Sequence, residues 1–97
     1  MEITKDDLGK FFYILDYTFD DNEDYIQILR CELVKTSKYE SYELRGYNQN
    51  DIEKETKTSV WLKFRDEYYT PNVEEVYRTI EEAAKQLEIR INEINTL

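Results

Sequence analysis

The sequence predicts an α+β fold: a four-stranded antiparallel β-meander with one long C-terminal helix packed on one face. Three observations lead there. First, Val73, Tyr77, Ile80, Ala84, Leu87, Ile91 and Ile94 recur in alternating steps of four and three, which places them on one stripe of a helix. Second, the chain upstream is rich in aromatic and β-branched residues, with nine tyrosines and only two glycines, a composition suited to strands. Third, 97 residues is the length of one domain, residues 1–97, and suffices for a core without disulfide or metal support.

Taken in order, Thr4 is a candidate N-cap, with Asp6 and Asp7 in a first turn where carboxylates suit the helix dipole. Gly9 weakens any continuation. Phe11, Tyr13, Leu15, Tyr17 and Phe19 alternate strictly and predict a strand over 11–19. Leu8, Phe11, Phe12, Leu15 and Phe19 also fit a helical stripe, so an α-β-β-β-α topology with residues 4–15 helical is the alternative.

The polar run from Asp20 to Asp24 reads as a turn, and residues 25–35 as the returning strand of a hairpin. Asp16 and Arg30 would then share a face. A third strand is expected over 39–47, a polar loop over 51–57, and a fourth strand over 58–68. In that last strand Val60, Leu62 and Phe64 lie on one face and Trp61 on the other. Pro71, then Asn72 with Glu75 three residues on, mark the start of a helix running to about Ile94. One helix covers one face of a sheet, so the other is left with Phe12, Ile14, Ile26, Ile28 and Val34 for the N-terminal segment or a partner.

Charge is the main functional signal. The net charge of −9 disfavours direct nucleic-acid binding and favours basic partners. It is segregated: residues 1–24 carry net −6, residues 25–65 net +2, and residues 66–97 net −5. The candidate partner-binding residues are the acids of the two ends: Asp20, Asp21, Glu23 and Asp24, then Asp66, Glu67, Glu74, Glu75, Glu81 and Glu82. Carboxylates spaced along a rigid element resemble a row of phosphates and could occupy a basic cleft; a solvated acidic face is the plainer alternative.

Catalytic chemistry finds little footing. Without histidine the chain lacks the commonest general base and neutral metal ligand. Its one cysteine, Cys31, permits no internal disulfide and no structural zinc set; it reads as a small buried hydrophobe suited to a reducing cytoplasm. Asp20, Asn22 and Asp24 match the first three ligand positions of an EF-hand loop. Tyr25 stands where glycine is needed and Cys31 where the closing glutamate is needed, so that motif is rejected.

The expectation is a cytoplasmic, non-enzymatic inhibitor without metal or cofactor, occupying a basic and in some cases nucleic-acid-binding surface of another protein. Phage and plasmid counter-defence proteins are of this small, acidic, motif-poor type. The alternative is an assembly module that homodimerises through an apolar sheet face or the C-terminal helix, whose four-three spacing also suits a coiled-coil seam. No segment suggests a signal peptide or membrane span.

Overall fold

A computed structural model of the chain describes residues 2–19, 24–44, 46 and 51–95. A 3-10 turn at Lys5–Asp7 leads into strands β1 (Phe11–Phe19), β2 (Asp24–Leu44), β3 (Ile52–Phe64) and β4 (Glu67–Tyr69). A second 3-10 turn at Val73–Glu75, strand β5 (Val76–Tyr77) and helix α1 (Ile80–Asn95) follow. The fold is α+β as expected, with five strands rather than four, all antiparallel in the order β4-β3-β2-β1-β5.

The sheet is curled, its two edges linked by a short segment. Asn72 bridges Ser59 on the β3 edge, while Val76 pairs with Ile14 on the opposite edge. Four residues extended span at most about 14 Å, and a 3-10 turn among them shortens that. A flat sheet would hold the β4 and β5 positions about 19 Å apart, four spacings of about 4.8 Å. The sheet therefore curls, and Val73–Val76 bridges its open side.

The inner face of that curl is the core. Phe12 pairs with Cys31 and Ile14 with Leu29, and Leu33 pairs with Leu62. These six, with Ile3, Val60 and Val76, form one buried cluster against which Phe64, Tyr69 and Val73 pack. Each such side chain contributes roughly 1.5–3 kcal/mol by leaving water. The face expected to lack internal cover is thus covered by the sheet's own curvature, by Ile3 and by Val73. Ile26, Ile28 and Val34 are not part of it, because residues 26 and 28 pair with Tyr17 and Leu15 on the outer face.

Several boundaries differ from the expectation. Residues 25–35 and 39–47 are not separate strands; β2 runs unbroken from Asp24 to Leu44. A register shift between Leu33 and Lys35 leaves Val34 as a bulge, which switches the inward residues from odd to even numbers. Residues 52–57, expected in a loop, belong to β3, where each pairs with β2. The fourth strand does not run to residue 68: the chain reverses at Arg65 and Asp66, with Arg65 at φ 55°. A positive φ at the first central residue alone is the two-residue hairpin geometry that favours glycine there. Asp16 pairs with Gln27 and hydrogen-bonds its amide at 3.2 Å, whereas Arg30 pairs with Tyr13 on the other face.

The N-terminal segment is a single capped turn, not a helix over 4–15. Thr4 is its N-cap, and Asp7 accepts from the Thr4 N–H at 3.0 Å. Gly9, at φ 84°, donates to the Leu33 carbonyl at 2.9 Å and ties this segment to β2.

The C-terminal helix also starts later. Asn72 caps only the 3-10 turn, without a side-chain bond, and Tyr77 is held in β5 opposite Tyr13. Thr79 is the residue that caps α1, accepting from the Glu82 N–H at 3.2 Å. α1 touches β1, β2 and β5, and its Arg90 bonds the Tyr17 hydroxyl and stacks on that outer-face ring. The helix is turned from the expected stripe: Ala83 is fully buried, while Ile80 (50% exposed), Ala84 and Ile91 (43%) face away.

Candidate interaction surfaces

The sequence-predicted acids fall at four places. Asp20, Asp21 and Glu23 lie outside the described residues; Asp24 opens β2 opposite Phe19. Asp66 and Glu67 sit at the β3–β4 reversal, and Glu74 and Glu75 in the second 3-10 turn. Only Glu81 and Glu82 are on α1, in its first turn, so the expected row of carboxylates on one continuous helix does not form.

A different grouping arises around Arg78, in the link between β5 and α1. Its guanidinium donates to the Glu2 carbonyl at 2.7 Å, reaches Asp7 Oδ2 at 3.5 Å and lies 5.3 Å from the centre of the Phe12 ring. Its own backbone N–H donates to the Glu82 carboxylate at 3.4 Å. One cation thus holds the segment with exposed Glu2 and Asp6 against the start of α1, whose first turn carries exposed Glu81 and Glu82. Asp24 is separated from this contact by the length of β1, nine residues or roughly 30 Å. The two acidic stretches of sequence are therefore linked only in part.

Asp7 is the buried acid of this contact. The Thr4 N–H, then Lys10 at 3.3 Å and Arg78, hold its carboxyl below the usual aspartate value against the opposing effect of burial. Elsewhere, burial pushes the Cys31 thiol up to about 11, with Asp16 adding to the effect, so the only thiol is protonated and enclosed. A hydrogen bond to Glu67 at 2.7 Å raises Tyr69 to about 12. Tyr42 donates to Glu40 at 2.6 Å, which raises the phenol and, with Lys54 at 2.9 Å, lowers the carboxyl. No three His, Cys, Asp or Glu among the described residues are placed to hold a metal. No helix among them is long and apolar enough to cross a membrane.

Two surfaces were not foreseen. On the outer face, cations lie over exposed aromatic rings: Arg30 is 3.9 Å from the Phe11 centroid, Lys35 4.1 Å from Trp61, and Lys63 5.9 Å from Tyr68. The signal was the outward parity of Trp61 together with the basic middle of the chain. Beyond that face, Ser37–Leu44 and Ile52–Ser59 form a two-stranded ribbon. A cavity of about 610 Å³ lies at its root, between Ile3–Asp6 and Thr36–Lys38. The ribbon carries exposed Tyr39, Tyr42, Leu44 and Ile52.

Searches against protein-family models, curated proteins and solved structures find no match for this chain.

Proposed function

We propose that the protein is a non-enzymatic interaction protein, an inhibitor that sets its acidic end against a basic surface of another protein. A cleft that otherwise binds nucleic acid is the kind of surface that fits. The observation supporting this reading is the Arg78 tie, which links the segment that carries Glu2 and Asp6 to the first turn of α1, which carries Glu81 and Glu82. A pre-organised array of carboxylates loses less entropy on binding than the same charges on a loose chain, and it steers basic partners at long range. The enclosed, protonated state of Cys31 and the lack of histidine fit a role without chemistry.

The test is capture from lysate of the source cell by the tagged protein, repeated with Glu2, Asp6, Glu81 and Glu82 each changed to Lys. The expected result is retention of a basic nucleic-acid-binding protein. Raised salt releases it, the charge-reversed variant loses it, and its nucleic-acid binding is blocked in a gel-shift assay. Retention that neither salt nor charge reversal alters would refute the proposal.

An assembly module is the second reading, favoured by Ile80, Ala84 and Ile91 facing outward along α1. Sedimentation of Ile80→Lys and Ile91→Lys variants tests it: oligomer size unchanged by both removes the helix from any interface.

A further inference from the structure

We infer that the protein forms a twofold dimer by pairing the free edge of its β2 ribbon, antiparallel, with the same edge of a second copy, centred on Tyr39. The edge is open. β1 pairs with β2 only as far as Glu32, and Gly9 and Lys10 bond the Leu33 backbone. From Val34 to Leu44, among the described residues, the sole ladder of β2 is the one to β3. A ribbon of two strands is marginal in water, and an open edge is a template for another strand. Residues 34–44 contain no proline to blunt it; the bulge at Val34 and the charges of Lys35 and Lys38 restrict it to a strand that sets acids opposite those lysines.

The residue order along this edge is complementary to itself. In a twofold antiparallel pair centred on Tyr39, each Lys38 faces the partner copy's residue 40, a glutamate, and this happens twice. Ser37 faces position 41, a serine, and Thr36 faces position 42, a tyrosine. Opposite charges on facing positions stabilise a pair and like charges oppose it. Centring on Lys38 or on Glu40 instead sets two like charges face to face on the axis. Centring on Ser37 or Ser41 brings no opposite charges together within this stretch. The Tyr39 register is the one that joins opposite charges on both sides of the axis.

The groove at the ribbon root fits the same register. Thr36 is on the inner face, opposite Val60, and lines the 610 Å³ cavity with Ile3 and Thr4. Tyr42 lies on that same face of the ribbon and is 62% exposed in a single copy. Pairing puts the second copy's tyrosine beside Thr36, where its ring, on leaving the 2.6 Å bond to its own Glu40, covers part of the groove. One contact therefore engages an open backbone edge, an exposed aromatic and part of the groove.

The experiment combines sedimentation equilibrium with cysteine cross-linking on the full chain, where enclosed Cys31 gives little background. Wild type is expected to sediment as a dimer, and Tyr39→Cys to form a disulfide-linked dimer under mild oxidation, its two copies meeting on the axis. Ser37→Cys alone and Ser41→Cys alone, each facing a serine, do not cross-link, and a mixture of the two does. Lys38→Glu and Glu40→Lys each weaken the dimer at least tenfold with unchanged circular dichroism, and mixing the two restores a heterodimer. A monomer at every concentration overturns the inference. So does a dimer linked through Thr56→Cys on the β3 edge or Ile91→Cys on α1 but not through Tyr39→Cys. Because the acidic end plays no part in this contact, failure here leaves the capture experiment unaffected.

Discussion

Replacing Arg78 by Met isolates what the tie between the chain ends contributes. Methionine keeps an unbranched stem against Phe12 but removes the guanidinium and with it the 2.7 Å bond to the Glu2 carbonyl. A hydrogen bond from a charged donor contributes about 1.5–3 kcal/mol when well shielded. Arg78 is 43% exposed, so solvent screening reduces this to about 1 kcal/mol. For a chain of this length that corresponds to a fall in Tm of roughly 4–8 °C. The loss should be local as well as global: amide exchange quickens from Ile3 to Gly9 while the β2–β3 ladder keeps its protection. Acid adds a signed check. Asp7 has its pKa lowered below 3.8 by the Thr4 N–H first, then by Lys10 and Arg78. Its contribution is present above the unfolded value and is lost as pH falls through the lowered folded one. Removing Arg78 relieves part of that lowering, so wild type and variant converge in stability as pH drops below about 4. Equal protection of residues 3–9 in both proteins, or a stability gap that widens in acid, would falsify the role given to Arg78.

Other substitutions follow from backbone and burial. Arg65→Gly should stabilise by about 0.5–1 kcal/mol in denaturant unfolding, because glycine accepts the positive φ that arginine resists; a loss would mean that the Arg65 contact with Phe64 matters more. Gly9→Ala should cost about 1–2 kcal/mol for the same reason reversed, read as a lowered Tm, even though space around Gly9 is open. Leu62→Ala, at a position with no exposed surface, should cost about 2–5 kcal/mol by the same measurement. Cys31 should resist thiol reagents at pH 8 in the native protein and react once denatured, since its folded pKa lies near 11; native reactivity equal to that of the unfolded chain would show an accessible thiol.

The parts of the fold legible in the sequence were those with one strong period. Alternation over 11–19 marked β1 with its observed ends, Thr4 with Asp6 and Asp7 marked the capped turn, and the opposite outlook of Trp61 and Leu62 was readable from parity. What was missed has specific causes. The bulge at Val34 changes the inward parity midway along β2, so a single strand looks like two. The reversal at Arg65–Asp66 carries none of the Gly or Asn that mark such a turn, so two strands look like one. In the 72–94 stretch the four-three spacing extends through residues that are a 3-10 turn and a strand. Periodicity records which residues are apolar, but the pairing of Val76 and Tyr77 with β1 decides that those residues extend.

The candidate surfaces show the same division between composition and placement. Segregated charge along the chain was readable, and so was the count of acids at each end. What links the two ends is Arg78, which the spacing leaves on the expected helix and which instead bonds the Glu2 carbonyl and Asp7. The ribbon is the converse case. Residues 39–47 read as a strand, but its other half, residues 51–57, reads as a loop because aspartate, glutamate, lysine and threonine predominate there. A strand that buries neither face in its own chain has no reason to show an apolar one, and its order is left to be set by what lies along its edge. In residues 36–42 that order is Thr, Ser, Lys, Tyr, Glu, Ser, Tyr, with opposite charges flanking a central aromatic. A solvated ribbon needs only charge, whereas pairing with itself needs charges of opposite sign at equal distances from a centre. This stretch meets the second and stricter condition.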